Sequence, residues 1–243
     1  MTGFDLRPAD PAGAETLEIM SAAPRYNRWQ YDVIAPWLGR RILEVGSGIG
    51  NMSEHIVAAD PDLVVLTDVD EWYRERLRER FAGHPKVRVD ALMLPDPAAA
   101  GRLGGLGLDT IVALNVVEHI ADDVGTLRTM RDLVVPGGRV VILVPALPAL
   151  FGTLDTALGH YRRYSRRTLG ASFAKAGLRL RAMFWYNRIG VFGWWWNGRV
   201  RKVDRIPVGQ LRAFDRLVPV LRFERHLPLP FGQSLIAIGT ADA

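Results

Sequence analysis

The chain has 243 residues, 49% of them hydrophobic, which is enough core for one large α/β domain with or without a modest insertion. It contains no cysteine, and this excludes disulfides, thiolate nucleophiles and cysteine-ligated zinc. A formal net charge of +5 is compatible with a nucleic-acid, anionic-membrane or acidic-substrate partner. A generally arginine-rich composition explains the same charge equally well without any such partner.

Two stretches bear on localisation. Residues 1–25 carry acids and have no apolar run, so they do not read as a signal peptide. The apolar stretch at 183–200 is interrupted by Asn187, Arg188 and Asn197, which makes it too polar for a transmembrane span. We therefore expect a cytoplasmic protein.

Strand and helix patterns alternate from residue 28 to about 145. We predict buried strands at 42–45, 63–66, 86–89, 108–114 and 139–144. Between and before them we predict helices at 29–38, 49–59, 71–80 and 122–135. Such alternation is typical of a parallel sheet covered by helices on both faces.

The pattern changes after residue 145. Residues 147–163 read as loop and short turns, and Ser165 is a plausible N-cap for a helix that ends near 176. A strand, two helices and an apolar closing strand are then predicted at 178–186, 190–201, 208–220 and 234–240. The insertion before the closing strand is where a lid or substrate cap would sit.

Residues 41–51 read RILEVGSGIGN, a buried strand followed by a turn with almost no side chains and then a helix. A strand, a glycine turn and a helix form a cradle in which backbone N–H groups face a small ligand. Glu44 lies at the end of the strand, where a carboxylate is costly to bury without a partner.

The glycine spacing narrows the choice of ligand. Gly46, Gly48 and Gly50 give G-x-G-x-G, and Asn51 stands where a dinucleotide fingerprint needs its third glycine. The acid and these glycines resemble motif I of the class I S-adenosylmethionine-dependent methyltransferases, whose turn holds the amino-acid end of the cofactor. The resemblance implies these cofactor-binding residues: Glu44, Gly46, Ser47, Gly48 and Gly50.

Two acids follow at the ends of later strands. Asp68 comes 18 residues after Gly50, where a carboxylate can accept the ribose hydroxyls, although it can also cap the next helix, and Asp70 can share the two roles. Asp90 and Ala91 end the third strand. The family resemblance implies that Asp90 accepts from the adenine amino group while the Ala91 backbone touches the ring; a plain surface turn is the alternative.

The segment Asn115-Val-Val-Glu-His119 is similar to the N-x-x-E-H segment of small-molecule methyltransferases related to the ubiquinone-biosynthesis enzymes. The resemblance implies that Asn115 lies beneath the methionine portion of the cofactor, and that His119 lies near the methyl group or braces the loop. It covers residues 26 to about 145. It adds these residues to the cofactor-binding set: Tyr26, Val69, Val116 and His119.

The resemblance also implies a fold. We expect a Rossmann-like, doubly wound, mostly parallel seven-stranded sheet, with an antiparallel C-terminal strand and a helical insertion or lid before it. As a single domain, residues 1–243 would divide into N-terminal helices, a cofactor-binding core, a substrate-side cap and a closing strand, at 1–40, 41–145, 146–233 and 234–243.

The sequence GHYRRYS at 159–165 supplies catalytic candidates. His160 and Tyr161, with His119, are placed to meet the substrate, since a histidine of ordinary pKa suits a general base. The alternative is an arginine-rich turn with His160 as a capping group. The five histidines are scattered and cysteine is absent, so we expect no metal site.

The sequence therefore predicts a methyltransferase that moves a methyl group from S-adenosylmethionine to a small, apolar or aromatic acceptor, such as a prenyl compound or a secondary metabolite. Three alternatives stay open: a nicotinamide-dependent oxidoreductase, a non-catalytic cofactor-binding partner subunit and an RNA methyltransferase. Asn51 counts against the first. Asn115 is followed by Val-Val-Glu rather than Pro-Pro-aromatic, which counts against nucleic-acid bases.

Trp194, Trp195 and Trp196 precede a basic cluster that contains Arg199 and Arg201. Three consecutive helical residues cannot share one face, so one or two of these tryptophans would line a pocket and another would meet lipid or a second subunit. Aromatic residues beside basic ones suit a membrane interface. The alternative is a core helix of the lid. Peripheral membrane contact and a homo-oligomer are thus both candidate associations.

Overall fold

One sheet organises the molecule. The computed structural model describes residues 8–205, 207–227 and 229–242, so residues 1–7 and 243 of the predicted terminal segments lie outside the described part. The strands are β1 (Arg41–Val45), β2 (Leu63–Asp68), β3 (Val87–Ala91), β4 (Thr110–Leu114), β5 (Arg139–Pro145), β6 (Leu178–Tyr186) and β7 (Ser234–Ala241).

The order of the strands is β3-β2-β1-β4-β5-β7-β6. The pairs among β1 to β5 are parallel, whereas β7 runs antiparallel to both β5 and β6. This confirms the predicted seven-stranded, mostly parallel sheet with an antiparallel C-terminal strand. The order reverses between β1 and β4, and in open α/β sheets such a switch point creates a crevice beyond the carboxyl ends of the strands.

Helices cover both faces of the sheet. Those before β4 are α1 (Pro11–Ser21), α2 (Pro24–Ile34), α3 (Ser53–Ala58), α4 (Glu71–Arg80) and α5 (Ala99–Leu103). Those after it are α6 (Asp123–Leu133), α7 (Thr153–Ala157), α8 (Arg166–Lys175), α9 (Gly190–Trp195) and α10 (Val208–Leu221). Among the described residues, no helix combines the length and apolar character that crossing a bilayer requires.

The central strands are apolar throughout because each face has its own core. Leu43 and Val65 pack with residues of α5, α6 and α8, whereas their neighbours Ile42 and Val64 pack with residues of α2, α3, α4 and α10. Successive side chains of a strand point to opposite faces, so a strand covered on both sides reads as a continuous hydrophobic run.

Several predicted boundaries differ from the observed ones, and the helix expected at 29–38 is Pro24–Ile34. The helix expected at 49–59 begins at Ser53, because Gly50 has a φ of 88°, which a right-handed helix cannot contain. The segment 147–163, expected as loop, contains α7. The Asp155 carboxylate caps that helix by accepting a hydrogen bond from the Gly152 N–H at 3.0 Å.

The insertion between β6 and β7 is helical, as predicted. Helix α9 continues as a π-helical turn, Trp196–Arg201, and α10 follows. Helix α10 docks on α2, where the Tyr26 N–H donates to Asp215 Oδ1 at 2.8 Å and the rings of Tyr26 and Phe214 lie 5.9 Å apart. The insertion and the N-terminal helices thus lie together.

Ser165 caps α8, as predicted. Its Oγ accepts from the Thr168 N–H at 3.1 Å, while Thr168 Oγ1 accepts from the Ser165 N–H at 2.9 Å. We expect Ser165→Ala to lower the free energy of unfolding by about 1 kcal/mol, because the Thr168 N–H in the first turn of the helix loses its acceptor. Ser165→Asp restores a cap and should keep wild-type stability. Urea unfolding of both variants measures this, and equal stability of Ser165→Ala and wild type would contradict it.

Candidate active site

A cavity of about 630 Å³ lies at the carboxyl ends of the central strands, at the switch point of the sheet. The glycine turn after β1, the end of β2 and the segment after β4 form its floor. Helix α1 and the insertion form its walls. Of the residues predicted for the cofactor, these line it: Tyr26, Gly46, Gly48, Asp68, Val69, Asn115, Val116 and His119.

The glycine turn brings bare backbone to the cavity. Gly46 and Gly48 have φ of 67° and 53°, in the left-handed region that favours glycine. A Cβ at Gly46 would come within 2.6 Å of Val116 Cγ2, and one at Gly48 within 2.7 Å of Leu17 Cδ1. A side chain at either position would therefore collide with its neighbour, and both positions require glycine.

The structure assigns helix capping, one of the two roles considered for Asp68 and Asp70, to Asp70. Asp68 is buried, and its carboxylate accepts from the N–H groups of Gly48 at 3.0 Å and Asp70 at 3.1 Å. Burial raises the pKa of Asp68 in spite of these bonds. Asp70 caps α4 by accepting from the Trp72 N–H at 2.9 Å. Both acids line the cavity, but helix capping falls to Asp70.

Glu44, Ser47 and Gly50 lie outside the cavity lining and support the turn from behind. The buried Glu44 carboxyl accepts from Ser53 Oγ at 2.5 Å, and burial raises the pKa of Glu44 to about 7. Ser47 Oγ accepts from the Thr67 N–H at 3.2 Å, which ties the turn to β2. Glu44 and Ser47 thus hold the turn in place, and the cofactor contact predicted for these three residues stays a prediction.

Asp90 and Ala91, predicted to contact adenine, do not line the cavity. Asp90 is held in β3 opposite Thr67 and pairs with Arg88 at 2.5 Å, away from the cavity. The strand continues through Ala91, so the chain reaches the cavity only at the following residues. Leu92, Met93 and Leu94 line it there, and they give that end an apolar wall.

Two histidines far apart in the sequence meet in the cavity. The ring centroids of His119 and His160 are 4.7 Å apart in an edge-to-face arrangement. Burial and the neighbouring His160 lower the pKa of His119 to about 4, so its imidazole is neutral near pH 7.

A buried carboxylate orients His160. Asp155 Oδ1 lies 2.9 Å from His160 Nδ1, and Asp155 Oδ2 accepts from Trp194 Nε1 at 3.2 Å. Burial opposes charge on Asp155, but the hydrogen bond with His160 and the nearby Arg163 outweigh it and lower the pKa of Asp155. An ionised Asp155 holds the proton of neutral His160 on Nδ1, which leaves Nε2 as an acceptor.

Glu118 and Arg163 complete the polar side of the site. Neither carboxylate oxygen of the buried Glu118 has a hydrogen-bond partner among the residues that the structure describes, and burial raises the pKa of Glu118 to about 8. Arg163 is also buried, with its Nε 3.6 Å from Asp155 Oδ1. Sequence reasoning missed Arg163 because one arginine in an arginine-rich turn carries no signal of burial.

The histidines are not scattered in space. Ligand atoms of Glu118, His119 and His160 lie within 4.8 Å of one another, a donor set that suits a transition metal. The expectation of no metal site rested on the distance between the histidines in the sequence. The fold brings His119 and His160 together although 41 positions separate them.

Tyr161 is not brought to the site. It is 62% exposed, lies outside the cavity lining and has the Arg162 guanidinium 5.8 Å from its ring centroid. Its backbone N–H donates to the Glu118 carbonyl at 2.8 Å, so the residue after His160 helps to fix the loop instead.

The walls of the cavity come from segments that no motif marks. They include these residues of α1 and the insertion: Leu17, Met20, Trp194, Asn197, Leu211 and Phe214. Asn197 is polar, and Trp194 belongs to the tryptophan run for which pocket lining was predicted. The other four side chains are apolar and resemble ordinary core residues in the sequence. Only their position over the carboxyl ends of the strands makes them part of the site.

Comparison with known sequences adds independent findings. A family profile described as a methyltransferase domain matches residues 43–140. The lovastatin diketide synthase of Aspergillus terreus is 33% identical over 111 residues, which is 42% of this chain and 4% of that protein. A tRNA U34 carboxymethyltransferase of Pseudomonas fluorescens is 29% identical over 119 residues, 47% of this chain and 36% of that protein. The chain thus spans a small part of these relatives.

Solved structures share the fold. The methyltransferase in a complex with the Haloferax volcanii Trm112 activator has a TM-score of 0.64 at 15% identity, over 98% of this chain and 100% of that chain. The CurJ carbon methyltransferase has a TM-score of 0.55 at 16% identity, over 88% of this chain and 51% of that chain.

The buried Glu44 predicts a pH dependence of stability. Because the pKa of Glu44 is raised from 4.5 to about 7 on folding, the native state binds the proton more tightly than the unfolded state. Its contribution to stability is complete below about pH 4.5 and is lost as the pH rises to about 7, by up to ~3 kcal/mol. Glu44→Gln should remove this loss. Urea unfolding from pH 5 to pH 8 measures it, and parallel curves for Glu44→Gln and wild type would refute the assignment.

Proposed function

We propose that this chain, whose domain belongs to the class I S-adenosylmethionine-dependent methyltransferases, transfers a methyl group to a small apolar or aromatic acceptor. One observation carries the proposal. The glycine turn and Asp68 open into the same cavity as the His160–Asp155 pair. A site for the cofactor and an oriented base therefore face one space.

The residues present fit this cofactor. Gly46 and Gly48 present backbone without side chains to the cavity, and the Asp68 carboxylate, which also lines it, can accept ribose hydroxyls. Asn115 and the apolar Leu92–Leu94 wall would hold the methionine and adenine ends. When bound, S-adenosylmethionine supplies a methyl group on a positively charged sulfur.

The charge of the cavity favours a cationic ligand over a dinucleotide. Asp10, Asp68 and Asp70 line it, and among the described residues Arg163 is the one arginine or lysine that does so. Arg163 lies beside Asp155, which offsets its charge. A pyrophosphate would meet three carboxylates here, whereas a sulfonium and an ammonium are stabilised by them. This supports a methyl donor rather than a nicotinamide cofactor.

His160 is the proposed general base. Its Nε2 can take a proton from an acceptor hydroxyl or carbon acid, while Asp155 stabilises the imidazolium that forms. His119, held neutral by burial, packs against the His160 ring and excludes water from that side. The cavity walls would position the acceptor, and alignment of this kind supplies roughly 7–11 kcal/mol toward the barrier.

The walls also indicate the class of acceptor. Met20, Leu154, Leu158, Trp194 and Phe214 offer apolar surface to whatever sits beside the cofactor. The matches to a polyketide synthase and to a carbon methyltransferase support an apolar, carbon-rich acceptor. The tRNA-modifying relative keeps an RNA acceptor as an outcome to test.

Loss of the Asp68 carboxylate tests the cofactor assignment. We expect Asp68→Asn to weaken binding of S-adenosylhomocysteine at least tenfold, because charge-assisted bonds contribute about 1.5–3 kcal/mol each. Asp70→Asn keeps a good helix cap and should bind within about twofold of wild type. Titration calorimetry measures both, with NAD as the competing ligand. Tight NAD binding in place of S-adenosylhomocysteine binding would overturn the proposed function, and unchanged affinity in Asp68→Asn would assign the ribose to Asp70.

Turnover tests the base. With an acceptor identified by transfer of a labelled methyl group, His160→Ala should lower kcat by about 10²–10⁴ while the affinity for S-adenosylhomocysteine is unchanged. Asp155→Asn should also lower kcat and move the acidic limb of the pH profile to lower pH, because the imidazolium loses the carboxylate that stabilises it.

Tyr161→Phe is the matched control and should keep wild-type turnover, since its ring lies outside the cavity. A fall in cofactor affinity in His160→Ala would make that residue architectural. Loss of wild-type activity on chelation, with recovery on adding metal, would replace the base by a metal at Glu118, His119 and His160.

A further inference from the structure

The segment between Ile189 and Lys202, which contains α9 and its π-helical continuation, has a surface that the proposed chemistry does not use. We infer that the outer side of this segment docks on an anionic lipid bilayer, and, resting on the proposed function, that the acceptor is a lipid-soluble molecule drawn from that bilayer. Solvent-exposed apolar side chains, uncompensated charge and the position of the cavity point to this together.

Large apolar side chains are exposed along one side of the segment. The exposed fractions are 60% for Phe192, 48% for Trp195, 51% for Trp196 and 45% for Val200. Ile189, Phe192, Trp196 and Val200 recur at spacings of three and four residues, the spacing that places side chains on one helix face. Exposed aromatic residues in such a row mark an interaction surface rather than scattered surface residues.

Another side of the segment faces the cavity. Gly190, Gly193, Trp194 and Asn197 line it, and Trp194 Nε1 donates to Asp155. The segment is thus a wall one helix thick. An apolar acceptor that leaves a bilayer at the outer face has one helix to pass before it reaches His160.

The positive charge at the C-terminal end of the segment favours an anionic bilayer as the partner. Arg199, Arg201 and Lys202 are exposed, and residues 189–202 contain no acid. Arg199 donates to the Ala149 carbonyl, while Arg201 and Lys202 form no ion pair with any residue that the structure describes. Exposed tryptophans beside basic side chains match the interface of an anionic bilayer, where each arginine or lysine contributes about 1 kcal/mol.

The same charge argues against a second copy of the chain. In a two-fold dimer the face would meet itself, so Arg199, Arg201 and Lys202 would approach their own copies with no acid on the segment to offset them. Single-stranded nucleic acid needs cations along its whole track. Here the cations lie at one end, and Ile189 and Phe192 at the other end offer apolar surface.

Flotation with lipid vesicles tests the docking. Wild-type protein should float with vesicles of phosphatidylglycerol and phosphatidylcholine, should bind pure phosphatidylcholine vesicles at least tenfold more weakly, and should dissociate as salt is raised. Trp195→Ser/Trp196→Ser and Arg201→Glu/Lys202→Glu should each lose at least tenfold in vesicle affinity.

Arg167→Glu/Arg181→Glu is the matched control. It makes the same change of net charge at exposed arginines on α8 and β6, so it should keep wild-type vesicle binding. Calorimetry with S-adenosylhomocysteine on every variant checks that the fold and the cofactor site remain. If the wild-type protein fails to bind S-adenosylhomocysteine but still floats with vesicles, the proposed function is contradicted and the proposal of membrane docking is retained.

Four results would overturn the docking. They are no flotation of the wild type, equal flotation of the patch and control variants, binding of poly-uridine in preference to vesicles, or a dimer in sedimentation that the tryptophan substitutions dissociate. For the acceptor, labelled-methyl transfer should favour the organic-solvent extract of a membrane fraction over the aqueous extract, and the reverse preference would contradict a lipid-soluble substrate.

Discussion

The bond between the Gly48 N–H and the Asp68 carboxylate is the interaction on which the site depends. It joins the turn after β1 to the end of β2, and it requires a backbone that only glycine adopts cheaply at Gly46 and Gly48. Glu44 holds the other side of the turn through Ser53 at the start of α3. A buried, hydrogen-bonded frame of this kind keeps bare backbone open to a ligand, where a side chain would otherwise fill the space.

On the side of the cavity that contains His119, His160 and Asp155, burial and neighbouring charges set the protonation states. His119 is kept neutral, and an ionised Asp155 orients His160, so neighbouring polar groups take different protonation states in one small space. Trp194 in the insertion donates its indole N–H to Asp155, so the insertion is linked through Asp155 to His160. The same segment presents its other side to the exterior. One short helix therefore both forms a wall of the cavity and presents exposed side chains at the protein surface.

Much of the fold was predictable. Continuous apolar runs predicted each central strand, because strands covered on both faces cannot alternate with polar residues, and the match of residues 43–140 to a methyltransferase domain confirmed the predicted class. The narrower likeness to ubiquinone-biosynthesis enzymes stays a prediction. The adenine contact expected of Asp90 stays a prediction. The position of Asp90 outside the cavity lining could not be predicted, because strand length, which local sequence sets poorly, decides which residue emerges at the cavity.

The sequence by itself determined the glycine turn, the acids after the strands and the order of elements, since these follow from local backbone demands and from periodic burial. Tertiary structure alone decided which side chains come into contact in the cavity. It brought His119 to His160, buried Arg163 beside Asp155 and left Tyr161 outside. Such contacts join residues many positions apart, and their pairing depends on how the loops and the insertion pack over the sheet, a property that local propensity does not encode.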